Sequence, residues 1–233
     1  ALKLNRMTEN FAPGVLEAII AEAHARHLPV RAHTGTATET LTVMRAGVDA
    51  LVHGPGVIDG LPSANTLAEV VTEAEKYHIP MITTINASSY LADTWGTERF
   101  LFDGTTGIVG YLKAAKSRES TGAGLRAVRE AGITLAFGLD RFVIQRPSDA
   151  AKFELQLLQD YGFSRVEALA TATRNAASYL NLADEIGSIA VGKRADLIIV
   201  AGNPLELADF LDRIDITIQS GKVVWSTTED LAH

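Results

Sequence analysis

Apolar positions along the chain alternate between two periods. Short runs at "ALKLN" (1–5), "PVRAH" (29–33), "ALVHG" (50–54), "IPMITTIN" (79–86) and "ITLAFGLD" (133–140) read as strands. Between them apolar residues recur at helical spacing. A first helix is expected from about Pro13 to His27, where Leu16, Ile19, Ile20 and Ala23 share one face and Pro13 suits a first turn. Further helices are expected near Thr38 to Ala46, closed by Gly47, near Asn65 to Tyr77, around Ile108 to Ser117, and over "GLRAVREAG" to Gly132. Strand-then-helix units joined by short connections predict an α/β fold around a parallel sheet.

After Asp140 the pattern turns helical, in "DAAKFELQLLQDYG" and "SRVEALATATRNAASYLNL", where Ser164 and Glu167 have the spacing of a capping box. It then turns β-rich. "GSIAVGKRADLIIV" and "DITIQSGKVVW" carry turn signals at "VGKR" and "SGK", so a small β element is expected to close the chain. The expected organisation is a barrel-type part over 1–183 and a β-sandwich part over 184–233.

Composition narrows the partners. A net charge of −7 without clustered Lys and Arg argues against a nucleic-acid surface. The absence of cysteine removes thiolate ligands, thiol nucleophiles and disulfides together. No apolar run reaches the ~18 residues of a membrane span, so a soluble chain with no membrane partner is expected, the cytoplasm being favoured. Because "ALKLN" opens on a strand in progress, the 233 residues are expected to be part of a longer protein.

Four of the five strands carry an ionisable group at or near their C-terminal ends: Lys3, His33, His53 and Asp140. Parallel strands deliver such residues to one mouth, where sites in these folds lie. Two imidazoles and a carboxylate suit a borderline divalent cation such as Zn²⁺. An ammonium cannot ligate, so Lys3 joins such a site only as a carbamate. His24, His27 and His78 read as structural. His24 and His27 sit near a helix C-terminus, where an imidazolium meets the dipole favourably, and His78 precedes a strand, at the wrong end for chemistry. "GTTG" and "TGAG" lack a phosphate-binding frame and read as turns.

With these residues in place, the sequence resembles the amidohydrolase superfamily, in the branch of imidazolonepropionase-like enzymes and metal-dependent Xaa-Pro dipeptidases. "ALKLN", "VRAH", "ALVHG" and "ITLAFGLD" resemble strands 4, 5, 6 and 8 of a distorted (β/α)8 TIM-type barrel, and "GSIAVGKRADLIIV" its β-sandwich tail. The resemblance implies zinc, two ions per complete site, with Lys3 as a carbamylated bridging ligand, His33 and His53 on the second ion, and Asp140 as ligand and proton shuttle. It implies hydrolysis of an amide, dipeptide or cyclic amide by a metal-bound hydroxide. The mononuclear imidazolonepropionases lack the lysine, so Lys3 tilts the likeness towards the dipeptidases. Two departures stand out: no His-x-His occurs in these residues, and Leu139 precedes Asp140 where the family usually has a small hydroxyl residue. The chain alone is accordingly expected to be inactive, and homo-oligomers are possible through its open strand edges. Two rival readings are a Schiff-base enzyme using Lys3 and a non-catalytic scaffold. The substrate is not legible, since specificity would reside in loops 86–106 and 141–148, where Trp95, Arg99, Arg141 and Arg146 show no interpretable spacing.

Overall fold

The computed structural model describes residues 1–4, 11–34, 36–53, 63–85, 119, 121–139, 147–206 and 209–228. The chain divides into two units, 1–142 and 143–233. This cut precedes the change of texture near 183, because the helices after residue 146 fall in the same unit as the tail.

The first unit contains β1 (Leu2–Leu4), α1 (Val15–Ala25), β2 (Val30–His33), α2 (Ala37–Ala46), β3 (Ala50–Val52), α3 (Ala64–Tyr77), β4 (Met81–Ile82), α4 (121–130) and β5 (Leu135–Ala136). All four strand pairings are parallel, and the order β1-β2-β3-β4-β5 follows the chain without reversal. A doubly wound sheet would reverse its order; this one fits a segment of a barrel.

Register sorts the side chains. Leu4, Val30, Ala32, Leu51, Met81 and Leu135 share one face and are all buried, as are Leu16, Ile20 and Ala23 of α1, Val43 and Met44 of α2, Val70 and Ala74 of α3, and Leu125 and Val128 of α4. Lys3, Arg31, His33, Ala50, Val52, Ile82 and Ala136 lie on the opposite face. The period-2 rule therefore puts Lys3, Arg31 and His33 on one side of the sheet.

Local chemistry fixes the connections that end beside the site. Only residues 34–36 separate β2 from α2, because Thr36 caps the helix: its hydroxyl accepts from Glu39 N–H at 2.9 Å, and its own N–H donates to Glu39 Oε2 at 3.2 Å. Gly47, at φ +97°, closes α2 as its pattern predicts. The strands are shorter than their apolar runs: "IPMITTIN" gives only Met81–Ile82, and "ITLAFGLD" only Leu135–Ala136. Thr84, at φ +44°, turns the chain away from extended geometry just past β4.

The second unit holds α5 (Pro147–Asp160), α6 (Arg165–Thr171), α7 (Arg174–Tyr179), β6 (Leu197–Val200), a 3₁₀ turn (Phe210–Asp212), β7 (Ile214–Gln219) and β8 (Lys222–Ser226). The Ser164–Glu167 capping box is present in both directions. The helical run 164–182 is broken in two at Thr173, whose ψ of −100° leaves the helical region. Gly187 approaches that break so closely that a Cβ on it would lie 2.5 Å from Ala177 Cβ and 3.1 Å from the Thr173 carbonyl oxygen.

"GSIAVGKR" forms a clasp rather than a strand. The Lys193 ammonium donates to the carbonyl of Ala183 and, at 2.7 Å, to Ser188 Oγ, drawing the loop back on the end of the helical region. β6, β7 and β8 form an antiparallel sheet, with Ser220 and Gly221, both at positive φ, making the "SGK" turn. Ile198 and Ile199, which face opposite sides of β6, are both half-exposed.

Candidate functional site

His33 is the last residue of β2, and Thr34 N–H extends the ladder beyond it by donating to Val52 O at 3.3 Å. His53 follows β3 directly. Val52 pairs with His33 and shares its face, so a regular extension would turn His53 to the opposite face. Its backbone is left-handed instead, at φ +75°. That conformation, costing about 1–2 kcal/mol in a non-glycine residue, accompanies a ring that meets His33.

The two imidazoles are in edge contact, with centroids 4.5 Å apart and planes at 84°. His53 Nε2 lies 2.9 Å from His33 Nδ1, and His53 is only 3% exposed. Two nitrogens on one tetrahedral zinc, each at ~2.0–2.1 Å, stand about 3.3 Å apart. The observed pair is about 0.4 Å tighter, so a small rotation of either ring would open it to a ligand edge. Without a cation, the same separation suits one shared proton. The donor chemistry and the convergence both fit a borderline divalent ion.

The other nitrogen of His53 is held by a residue the sequence reading passed over. Thr84 Oγ1 lies 2.5 Å from His53 Nδ1, and Thr84 is buried. Its left-handed backbone is a true outlier for a β-branched residue. Gly138 of β5's extension accommodates it: a Cβ there would lie 3.3 Å from Thr84 Cγ2 and 2.1 Å from Ile82 Cγ2. The one available signal was the doublet "TT" closing an apolar run, which equally suits a strand end.

Of the four expected site residues, the structure brings His33 and His53 together. Lys3 lies on the same face as His33 but at the level of Arg31, on the strand flanking β2, and is exposed. Asp140 lies outside the described residues, as do Trp95, Arg99, Arg141 and Arg146. Among the described residues, no group of three or more His, Asp or Glu side chains is assembled.

His24 and His78 have structural roles. His24 Nε2 pairs with Asp49 Oδ2 at 2.8 Å, and that same oxygen accepts from Val30 N–H at 2.6 Å, tying the end of α1 to the start of β2. His78 caps α3 in a left-handed conformation. No helix among the described residues is long and apolar enough to cross a membrane.

The Amidohydrolase family matches residues 5–224. Over 106 residues, 44% of this chain and 24% of the relative, the sequence is 32% identical to an imidazolonepropionase of Shouchella clausii. A Xaa-Pro dipeptidase solved with methionine in its active site superposes with a TM-score of 0.73 at 26% identity, covering 93% of this chain and 49% of that one. The ochratoxinase of A. niger, at 22% identity and a TM-score of 0.71 over 95% of this chain and 48% of its own, shares the fold. The chain thus spans about half the length of these solved structures, and its curated match covers about a quarter of the relative.

Proposed function

The chain belongs to the amidohydrolase family, and on that premise we propose that it supplies part of the active site of a metal-dependent hydrolase acting on a C–N bond, in a dipeptide or a cyclic amide. The observation that carries this is the convergence of His53 Nε2 and His33 Nδ1 to 2.9 Å at the C-terminal ends of adjacent parallel strands. The names of two relatives, an imidazolonepropionase and a Xaa-Pro dipeptidase, support the two substrate classes. Lys3, on the same face as His33, favours the dipeptide.

In this reading residues 1–183 are strands 4 to 8 of the barrel with their helices, and 184–233 belong to a β-sandwich. His33 and His53 hold a divalent cation, zinc by donor type. Carbamylated Lys3 and Asp140 complete the set this chain contributes. The bound cation supplies Lewis-acid polarisation of the scissile carbonyl and brings the pKa of coordinated water to about 7. Asp140 takes the proton released from the attacking water and returns it to the departing amine, acting as general base and then general acid. His53 ligates through the lone pair of a ring nitrogen. The 233 residues alone hold one cation weakly and turn over no substrate.

The test uses the native protein that contains this sequence. Release of the free amino acids from Xaa-Pro dipeptides, and ring opening of a cyclic amide, should be abolished by a chelator, restored by zinc, and lost by orders of magnitude in His53→Ala. Full activity of that variant, with its metal content intact, would overturn the reading.

A further inference from the structure

We propose that Thr84 is a positioning residue that selects the tautomer of His53, accepting a hydrogen bond from Nδ1–H so that the Nε2 lone pair is presented towards His33. This rests on the metal-centre reading above and extends it to a residue outside the expected ligand set. A nitrogen can ligate only through its lone pair, so one cation shared by His53 Nε2 and His33 Nδ1 requires His53 to carry its proton on Nδ1. The group facing that nitrogen is Thr84 Oγ1, at 2.5 Å. A hydroxyl can donate or accept; ligation at Nε2 requires the accepting role.

Three features indicate that the contact is built into the fold. Both partners are buried, at 3% exposure each. Both occupy left-handed backbone, φ +75° at His53 and +44° at Thr84, at the ends of adjacent strands. Such outliers persist where surrounding structure holds them. Thr83 N–H donates to Ala136 O at 2.9 Å, pinning the residue before Thr84 to β5, and Gly138 leaves room that any Cβ would take. A partner of this kind fixes both ring orientation and the protonated nitrogen, and its loss typically weakens metal affinity 10- to 100-fold.

The experiment reads the tautomer directly in the metal-free chain at pH 8. Two-bond ¹H–¹⁵N spectra of the histidine rings, with His53 assigned by its absence in His53→Gln, report which nitrogen carries the proton. The native chain and Thr84→Ser should show the Nδ1–H form. Thr84→Val, which keeps the shape and removes the acceptor, should move towards Nε2–H, and zinc titration should show at least ~10-fold weaker binding, with Thr84→Ser close to native. An Nε2–H form in the native chain overturns the proposal without any variant needing to fold. So does an unchanged tautomer in Thr84→Val. Native chain in the Nδ1–H form, lost in Thr84→Val, upholds the role of Thr84 even if zinc fails to bind; that failure would count against the metal-centre reading alone.

Discussion

Replacing Gly138 by Ala tests how the sheet holds the site. The added Cβ would stand 2.1 Å from Ile82 Cγ2, where carbon atoms ordinarily approach to ~3.5–4.0 Å. About 1.5 Å must be found. Ile82 is β-branched and stiff at χ1, and its backbone is held on both sides, by pairing with Val52 and with Ala136. Relief therefore demands an off-rotamer side chain or a displaced strand, and overpacking of this kind costs ~1–3 kcal/mol. The second contact, 3.3 Å to Thr84 Cγ2, pushes on the residue that holds His53. Guanidinium unfolding of Gly138→Ala should show the loss as a lower midpoint at unchanged slope. The double variant Ile82→Ala/Gly138→Ala removes Cγ2 and leaves the Ile82 Cβ position at 3.6 Å, an ordinary contact. Its destabilisation should fall short of the sum of the single variants by at least ~1 kcal/mol. Strict additivity, or an unaltered midpoint in Gly138→Ala, would refute the packing argument.

Other outcomes follow from particular contacts. His53→Gly and His53→Ala should lose zinc binding equally in a titration, while the glycine variant, relieved of left-handed strain, unfolds at a denaturant concentration corresponding to ~1 kcal/mol more stability. Ser164→Ala removes the Oγ that accepts from Glu167 N–H, and should cost about 1 kcal/mol in chemical denaturation. The Asp196 carboxyl is held below its ordinary range first by the Ser220 N–H and then by Arg194. Its contribution is therefore present above the ordinary Asp value near 4 and is lost as pH falls through the lowered one. Urea midpoints compared at pH 6 and pH 3 should fall less in Asp196→Asn than in the native chain.

His33 and His53 were legible because each closes an apolar run, and runs of parallel strands end at one mouth. What brings them together was not. "ALVHG" places His53 one residue past the face of His33, and only its left-handed backbone, which no sequence pattern announces in a histidine, accompanies the contact. Thr84 was hidden for a related reason: "ITT" reads as strand, whereas the chain leaves extended geometry at its second threonine. Gly138 was visible inside an apolar run, yet its necessity depends on Ile82 of the neighbouring strand, a contact set by register. In the second unit, "SGK" and the Ser164–Glu167 box were readable because turns and caps are local, whereas the clasp made by Lys193 links residues up to ten positions apart and took an apparent strand with it.

Whether His53 Nε2 and His33 Nδ1 are two ligands of one cation is open to direct observation. Zinc-loaded crystals, measured on either side of the zinc absorption edge, test it most directly. An anomalous peak is expected ~2.0–2.1 Å from both nitrogens, with the pair opened from 2.9 Å towards about 3.3 Å. Zinc found only elsewhere, with the two imidazoles still 2.9 Å apart, would contradict it.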